Sequence, residues 1–212
     1  MEDQADVRRG VYKDKYGTEC YVISVKSGYD FAVEWNKWFT DFLSGETIDA
    51  IEIISHGGAT GISGKDSSGT GYGTGFLYFG DDPNNNRLFA RDNYNMNSSD
   101  CSVSWLDPVT AKELNINACN SANPDVYNVV FGFMQKVNYS KITGWDGGTE
   151  WDPELGDHVR GGGDYSYVQG GILHSDPWYY VKEYQATWWK YVEKDENGNP
   201  KRERIGKREF YS

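Results

Sequence analysis

A histidine and a cysteine each follow directly on an apolar stretch of the chain. The stretch 51–54 runs into Ser55-His56-Gly57-Gly58, and the stretch 114–118 runs into Cys119. In open α/β sheets, ligands bind outside the carboxyl ends of the strands, and neighbouring strands lie about 4.8 Å apart. A thiol needs a nearby base to become a nucleophilic thiolate. The pattern therefore predicts a Cys-His dyad, with Cys119 as nucleophile and His56 as its base.

The residues around this predicted dyad suit the same chemistry. The bare backbone of Gly57-Gly58 offers N–H groups to an oxyanion. A helix is predicted to begin at Asn123-Pro124, and its positive end would favour a thiolate at Cys119. Its apolar stripe has helical spacing and consists of Val126, Val129, Val130, Phe133, Met134 and Val137. Such a site needs no metal and no cofactor.

Four strands and two helices are predicted to position these residues. β-Branched and alternating patterns predict strands over 19–25, 48–54, 114–118 and 141–145. A helix is predicted over 30–42, with Asp30 as its cap and Gly45 as its stop, and the second helix follows residue 123. This order of elements predicts an α/β sandwich with a largely parallel central sheet.

Glycine is enriched, with 25 of 212 residues, and eight of the 25 lie between positions 57 and 75. We expect this segment to be a long flexible loop, because glycine weakens both helices and strands. The segments 76–79 and 87–90 flank residues 81–86, which are Asp, Pro and Asn residues typical of turns. This pattern predicts a hairpin. A second hairpin is predicted from 186–194 and 201–211, around an Asn-Gly turn.

Composition limits the classes of partner. The net charge of −11 argues against nucleic acid, since phosphate binding needs a basic stripe. No apolar run reaches 18 residues and no basic leader precedes an apolar stretch, so no membrane span and no signal peptide are expected. Three cysteines leave at least one free thiol. The chain is expected to be cytoplasmic as given, or a domain of a longer secreted bacterial protein.

The two motifs resemble those of the caspase-like superfamily of cysteine peptidases, which includes caspases, gingipains, clostripain, separase and the bacterial CHAT domains. The matching residues are Ile53-Ile54-Ser55-His56-Gly57 and Ile116-Asn117-Ala118-Cys119-Asn120-Ser121-Ala122. The resemblance implies a three-layer sandwich and hydrolysis of peptide bonds in a protein or peptide substrate. It also implies an oxyanion hole formed by the backbone N–H groups of Gly57 and Cys119.

The resemblance covers roughly residues 19–148 of what we expect to be one domain over 1–212. The stretch from Lys141 to Gly148 also looks like peptidase-like domains at the C-termini of bacterial polymorphic toxins and Rhs-type secreted proteins. A β-rich extension is expected over 149–212. The acidic charge favours a basic P1 residue in the substrate, with Asp146 and Asp164 as its contacts.

Three other interpretations remain open at this point. One is a non-enzymatic caspase-like module for binding or toxin association, in which the dyad is misplaced. Another is carbohydrate binding by the aromatic clusters at 178–180 and 188–189. A metal site would have to use His158 and His174 with His56 and nearby aspartates, but no pair has metal-ligand spacing. The sequence leaves the oligomeric state undetermined.

Overall fold

The computed structural model describes residues 2–59, 73–93, 96–123, 126–160, 165–169, 172–176, 193–194, 200–201 and 207–212. The helices in these residues are α1 (Glu2–Tyr16), α2 (Gly28–Asn36), which continues as a π-helical segment (Lys37–Phe42), a 3-10 turn (Val103–Trp105) and α3 (Val129–Phe133). The strands are β1 (Thr47–Ile54), β2 (His56–Ala59), β3 (Gly73–Tyr78), β4 (Arg87–Phe89), β5 (Cys101–Ser102), β6 (Val109–Asn117), β7 (Val126–Tyr127), β8 (Val137–Trp145), β9 (Thr149–Asp152), β10 (Asp157–Arg160), β11 (Tyr165–Gln169), β12 (Ile172–Asp176), β13 (Glu193–Lys194), β14 (Pro200–Lys201) and β15 (Lys207–Tyr211).

The central sheet has the strand order β1-β6-β8-β15. Its first three strands are parallel, and β15 is antiparallel to β8 at the far edge. The strands predicted over 48–54, 114–118 and 141–145 lie in β1, β6 and β8, with Ala118 just beyond the end of β6. The protein is thus of mixed α/β class with a largely parallel central sheet, as predicted.

The two faces of this sheet differ in chemistry because side chains alternate along each strand. Leu114, Ile116 and Ile142 are fully buried in the hydrophobic core, in one cluster with Trp35 and Phe133 from the helical layer. On the opposite face, Asn115 of β6 bonds to Tyr12 of α1, and Thr143 of β8 bonds to Asn115. One face is therefore held by apolar packing and the other by hydrogen bonds.

Helix α2 and its π-helical extension confirm the helix predicted over 30–42. Ser27, rather than Asp30, caps it: Ser27 Oγ accepts a hydrogen bond from the Asp30 backbone N–H at 2.9 Å. Phe31, Trp35 and Phe39 of this helix pack into the core, with the Trp35 ring centroid 4.6 Å from that of Phe39. Gly45 follows the helix with a positive φ of 77°, a conformation that favours glycine.

A second sheet follows β1 and contains the predicted hairpin of β3 and β4. The prediction of one continuous loop over 57–75 is wrong at both ends, because Gly57 and Gly58 lie in β2 and Gly73 and Gly75 lie in β3. These strands pair antiparallel, with Gly58 opposite Phe76. Glycine fits at position 58 because a Cβ there would lie 2.8 Å from the ring of Phe76. The middle of the predicted loop lies outside the described residues.

The strand predicted over 19–25 is also wrong, since this segment has no regular secondary structure. Three of its apolar side chains stay exposed, at 62% for Tyr21, 42% for Val22 and 41% for Ile23, and Val25 is partly buried against the core. Tyr21 packs its ring on Trp38, at 5.2 Å between centroids. β-Branched composition favours extended backbone but does not provide a partner strand, and pairing decides whether a strand forms.

The helix predicted from Asn123 to Val137 is wrong in its start and its length. Residues 126–127 form β7, which pairs parallel to β3, and α3 covers only five residues. Asn128 is its N-cap and accepts a hydrogen bond from the Phe131 N–H at 3.0 Å. The valine-rich spacing fits a strand as well as a helix, because β-branched residues favour strands. A five-residue helix that begins at Val129 gives no basis for the expected dipole effect on Cys119.

The C-terminal part is described only in segments. β13 and β14 pair antiparallel, which agrees with the predicted hairpin near its turn. β15 pairs antiparallel with β8 in the central sheet. The aromatic clusters at 178–180 and 188–189 lie outside the described residues. Among the helices in the described part of the chain, none has the length and apolar character needed to cross a bilayer.

Candidate active site

The structure brings the two predicted strand ends together at one edge of the central sheet. β1 and β6 pair in parallel up to Ile54 and Asn117, which are partners in the register. Immediately beyond, the Ser55 N–H donates a hydrogen bond to the Asn117 carbonyl at 3.3 Å. His56 and Cys119 each lie two residues beyond the end of one of these adjacent strands, at the same edge of the sheet, as the sequence predicts.

The backbone at Gly57 is in direct contact with the backbone at Cys119. A Cβ atom on Gly57 would lie 2.0 Å from the Cys119 carbonyl oxygen and 3.1 Å from the Ala118 Cβ. Real Cβ atoms do not come so close to backbone, so only glycine is compatible with this approach. The predicted oxyanion residues thus lie side by side.

His56 is exposed and is the first residue of β2. It is directly opposite Tyr78 of β3. The two rings stack, with 4.9 Å between centroids and 16° between planes. Burial raises the pKa of Tyr78, and the negative charge of a nearby Cys119 thiolate adds to the rise. Tyr78 therefore contacts His56 directly and responds to the charge of Cys119, and no pattern in the sequence marked it.

Cys119 is partly buried, and its sulfur contacts the backbone of β9. Its Sγ accepts a hydrogen bond from the Thr149 N–H at 3.3 Å and lies 3.6 Å from the Thr149 carbonyl oxygen, to which the thiol donates. No hydrogen bond between described residues joins Cys119 to His56. Catalytic hydrogen bonds are often long in substrate-free enzymes and shorten when substrate binds.

The turn after Cys119 is fixed by the end of β8. The Asn120 N–H donates to the Gly147 carbonyl at 2.9 Å, and the Ala122 N–H donates to the Trp145 carbonyl at 2.8 Å. Asn120 has a positive φ of 57°, which asparagine tolerates better than most residues. These bonds fix the turn that follows Cys119 against the end of β8.

A buried ion pair supports the site from the α1 side. Arg8 Nε donates to both carboxylate oxygens of Glu52 on β1, at 2.9 and 3.0 Å, and the two side chains are only 13% and 7% exposed. Burial lowers the pKa of Arg8, but the charge of Glu52 and its hydrogen bond outweigh burial, and the net shift is upward. Glu52 also accepts from the Asn117 amide, two residues before Cys119.

The polar positions of β6 are all paired on this face. Asn117 accepts from the Trp145 indole N–H at 3.1 Å. Asn115 donates to the Tyr12 hydroxyl and accepts from the Thr143 hydroxyl, each at 2.7 Å. Buried amides are costly unless hydrogen-bonded. The alternation of asparagine with apolar residues before Cys119 therefore reflects a polar layer beneath α1, which the sequence did not reveal.

Arg8 also holds the hairpin of β9 and β10, which carries the backbone that contacts Cys119. Its Nη1 lies 3.4 Å from Asp157 Oδ1 and 3.5 Å from the Gly156 carbonyl oxygen. His158 of this hairpin packs against Trp151, and burial is the main cause that lowers the pKa of His158 to about 4. The hairpin is thus anchored to the same arginine that binds Glu52.

The remaining candidate residues are placed as follows. Asp146 comes directly after β8, at the same edge of the sheet, and is only 1% exposed. Asp164 lies outside the described residues. His174 is in β12. Cys20 and Cys101 are free thiols like Cys119. Burial raises the pKa of Cys101 to about 11.

Within the described part of the chain, no group of three or more His, Cys, Asp or Glu side chains is placed to share a metal ion. The chemistry available at the strand ends is that of a thiol, an imidazole and backbone N–H groups. Comparison of the chain with models of known protein families, with curated proteins and with solved structures gives no match.

Proposed function

We propose that this protein is a cysteine endopeptidase of the caspase-like superfamily, with Cys119 as nucleophile and His56 as general acid and base. The observation that carries the proposal is the contact between the two strand ends. Gly57 lies against the Cys119 carbonyl. His56 directly precedes Gly57 and carries the imidazole, and Cys119 itself carries the thiol. This is the order and placement of residues that the resemblance implies.

The proposed reaction has two stages. His56 takes the proton of the Cys119 thiol, and the thiolate adds to the carbonyl carbon of the peptide bond. The C–N bond then breaks as His56 gives that proton to the departing amine, leaving a thioester on Cys119. Water activated by His56 hydrolyses the thioester, which releases the carboxylic acid and restores the thiol.

The oxyanion of each tetrahedral intermediate needs donors that are already in place. We assign this role to the backbone N–H groups of Gly57 and Cys119. The close contact between their two residues fixes them relative to each other without any side chain. A caspase-like sandwich with α1 on one face of the sheet and α2 and α3 on the other is the proposed architecture.

The substrate is proposed to be a protein or peptide with a basic P1 residue. The chain carries a net charge of −11, which attracts cationic segments. Asp146 directly follows β8, next to the turn that carries Cys119, and is one proposed contact. It is only 1% exposed, so substrate binding has to uncover it. Asp164 is the other. The setting we propose is a bacterial protein, with this chain as a toxin-associated domain.

One observation favours a second candidate, a caspase-like module that binds partners without cleaving them. The Cys119 thiol is hydrogen-bonded to the Thr149 backbone rather than to His56. A thiol held in this way needs the Thr149 contact to loosen before attack. In the non-catalytic alternative that contact is permanent.

Hydrolysis of a peptide library separates the two candidates. Wild type should cleave, and Cys119→Ala and His56→Ala should each lose at least about 100-fold in kcat/KM, the usual contribution of general acid–base catalysis. Cys20→Ser is the matched control, because it removes a partly buried cysteine outside the site, and it should cleave like wild type. Equal rates in all four proteins would exclude the peptidase.

A further inference from the structure

Tyr78 is the aromatic residue that contacts the imidazole of the proposed dyad. It lies on β3 directly across from His56 and is partly buried, whereas His56 is exposed. The centroid distance of 4.9 Å and the interplanar angle of 16° describe a parallel stack of the two rings. Face-to-face contact between planar rings restricts how each ring can turn.

β2 itself offers nothing that could orient the imidazole. After His56 its residues are Gly57, Gly58 and Ala59, which carry no side chain or a single methyl group. Among the described residues, Tyr78 is the one whose ring stacks on that of His56. An exposed side chain keeps its rotamer freedom unless a neighbour restricts it. The orientation of His56 therefore depends on the opposite strand.

Tyr78 lies on a strand that is held in place on its other side, so its ring can restrict the His56 side chain. Its strand is anchored on the other side by β4, where Tyr78 pairs with Arg87 in the register. Arg87 in turn forms an ion pair with the buried Asp100 at 2.8 Å. The ring of Tyr78 thus stands on a fixed strand, while the ring of His56 stands at the start of a short one.

We propose that Tyr78 is a positioning residue, whose ring holds the His56 imidazole in the orientation that lets it exchange a proton with Cys119. The inference rests on the proposed function. It identifies the side chain that orients His56 for proton transfer with Cys119. The role belongs to the ring and not to the hydroxyl, because the stack is formed by ring faces.

Three variants test this role. Tyr78→Val removes the ring and keeps a side chain that favours strands. Tyr78→Phe keeps the ring and removes the hydroxyl. Tyr139→Val is the matched control, because it makes the same change in a partly buried tyrosine near the opposite end of the sheet.

Two rates should be measured for each variant: peptide hydrolysis, and alkylation of Cys119 by iodoacetamide, followed by mass spectrometry of the Cys119 peptide. We expect Tyr78→Val to lower kcat about tenfold or more with KM little changed, since small errors in catalytic geometry are costly. The alkylation rate should fall in parallel. Tyr78→Phe and Tyr139→Val should stay within about twofold of wild type by the same argument.

The two possible failures are distinguishable. If His56→Ala slows both reactions but Tyr78→Val slows neither, the positioning role is wrong and the peptidase stands. If wild type does not hydrolyse peptides, and Cys119 alkylates equally fast in wild type and His56→Ala, the proposed function itself is wrong.

A spectroscopic measurement on wild type does not depend on whether a variant folds. The ring protons of His56 should show nuclear Overhauser contacts to the ring protons of Tyr78, with an upfield ring-current shift. The shift should persist in Tyr78→Phe. Absence of these contacts in folded wild type would overturn the positioning role.

Discussion

A side-chain carbon at Gly57 would lie 2.0 Å from the carbonyl oxygen of Cys119. The two residues follow different strands, and this contact is what locks the strand ends together. The approach brings the backbone that follows His56 against the backbone of the residue that carries the thiol.

Gly57→Ala should therefore disturb both stability and chemistry. Forcing a methyl group against backbone costs about 1–3 kcal/mol in the free energy of unfolding. The strand ends must also separate, so the alkylation rate of Cys119 should fall. Urea unfolding and alkylation of the same preparation measure the two effects.

Gly10→Ala is the control for that substitution. A Cβ on Gly10 has nothing within 4 Å, and the residue lies inside α1. Alanine favours helix over glycine by roughly 0.8–1 kcal/mol, so Gly10→Ala should stabilise the protein and leave alkylation unchanged. If Gly57→Ala behaved like Gly10→Ala, the described contact between the strand ends would be wrong.

Arg8→Met should unfold at clearly lower urea concentration than wild type. It leaves the 7%-exposed carboxylate of Glu52 without its charged partner, and breaking a buried ion pair in this way costs about 3–5 kcal/mol. Adding Glu52→Gln to Arg8→Met should restore part of the loss, because the amide oxygen still accepts from Asn117.

Lys15→Met is the comparison for the buried pair. Lys15 is paired with Glu113 at 3.0 Å, but its side chain is 47% exposed, so the loss should not exceed about 1 kcal/mol. Similar losses for Arg8→Met and Lys15→Met would show that Arg8 is not the anchor between α1, β1 and the hairpin of β9 and β10.

The three cysteines should react with iodoacetamide in a fixed order. Cys101 is fully buried, and burial raises its pKa to about 11, so it has little thiolate at neutral pH. Cys119 is partly exposed and should be modified first. Cys20 should follow, because burial raises its pKa, and Cys101 should react only after unfolding. Peptide mass spectrometry over time gives the order, and equal labelling of Cys101 and Cys119 in folded protein would contradict it.

Stability should fall as the pH is lowered from about 7 to about 4. Burial is the main cause that lowers the pKa of His158 from its usual 6.5 to about 4 in the folded chain. In this window the unfolded chain binds a proton that the folded chain does not, so acid favours unfolding. The stabilisation from neutral His158 is complete above pH 6.5.

His158→Asn should remove this contribution and make the pH dependence shallower over the same range. Thermal unfolding of both proteins at several pH values measures the difference. Parallel curves for wild type and His158→Asn between pH 4 and 7 would show that His158 is not buried as described.

The central strands and α2 could be predicted because their signals are local. The apolar runs that became β1, β6 and β8 end at polar residues, and the aromatic spacing of Phe31 and Trp35 has the period of a helix. The placement of His56 and Cys119 at adjacent strand ends followed from the order of elements alone.

Other features could not be predicted because they depend on partners distant in sequence. α1 is polar and attaches through Arg8 and Tyr12, whose partners Glu52 and Asn115 lie more than forty residues away. Such a helix has no apolar stripe in its sequence from which it could be predicted. The segment 19–25 and the valines near α3 have local strand or helix signals that tertiary pairing overrides. Tyr78 was missed since only the β2–β3 register places it on His56.

The most direct test of the proposed peptidase is to trap its thioester. Wild type mixed with a reactive peptide ester and quenched in acid should gain the mass of the acyl group, and fragmentation should locate it on Cys119. His56→Ala should accumulate the adduct far more slowly, and Cys20→Ser should match wild type. An acyl group on another residue, or none in wild type at any time, would contradict the account.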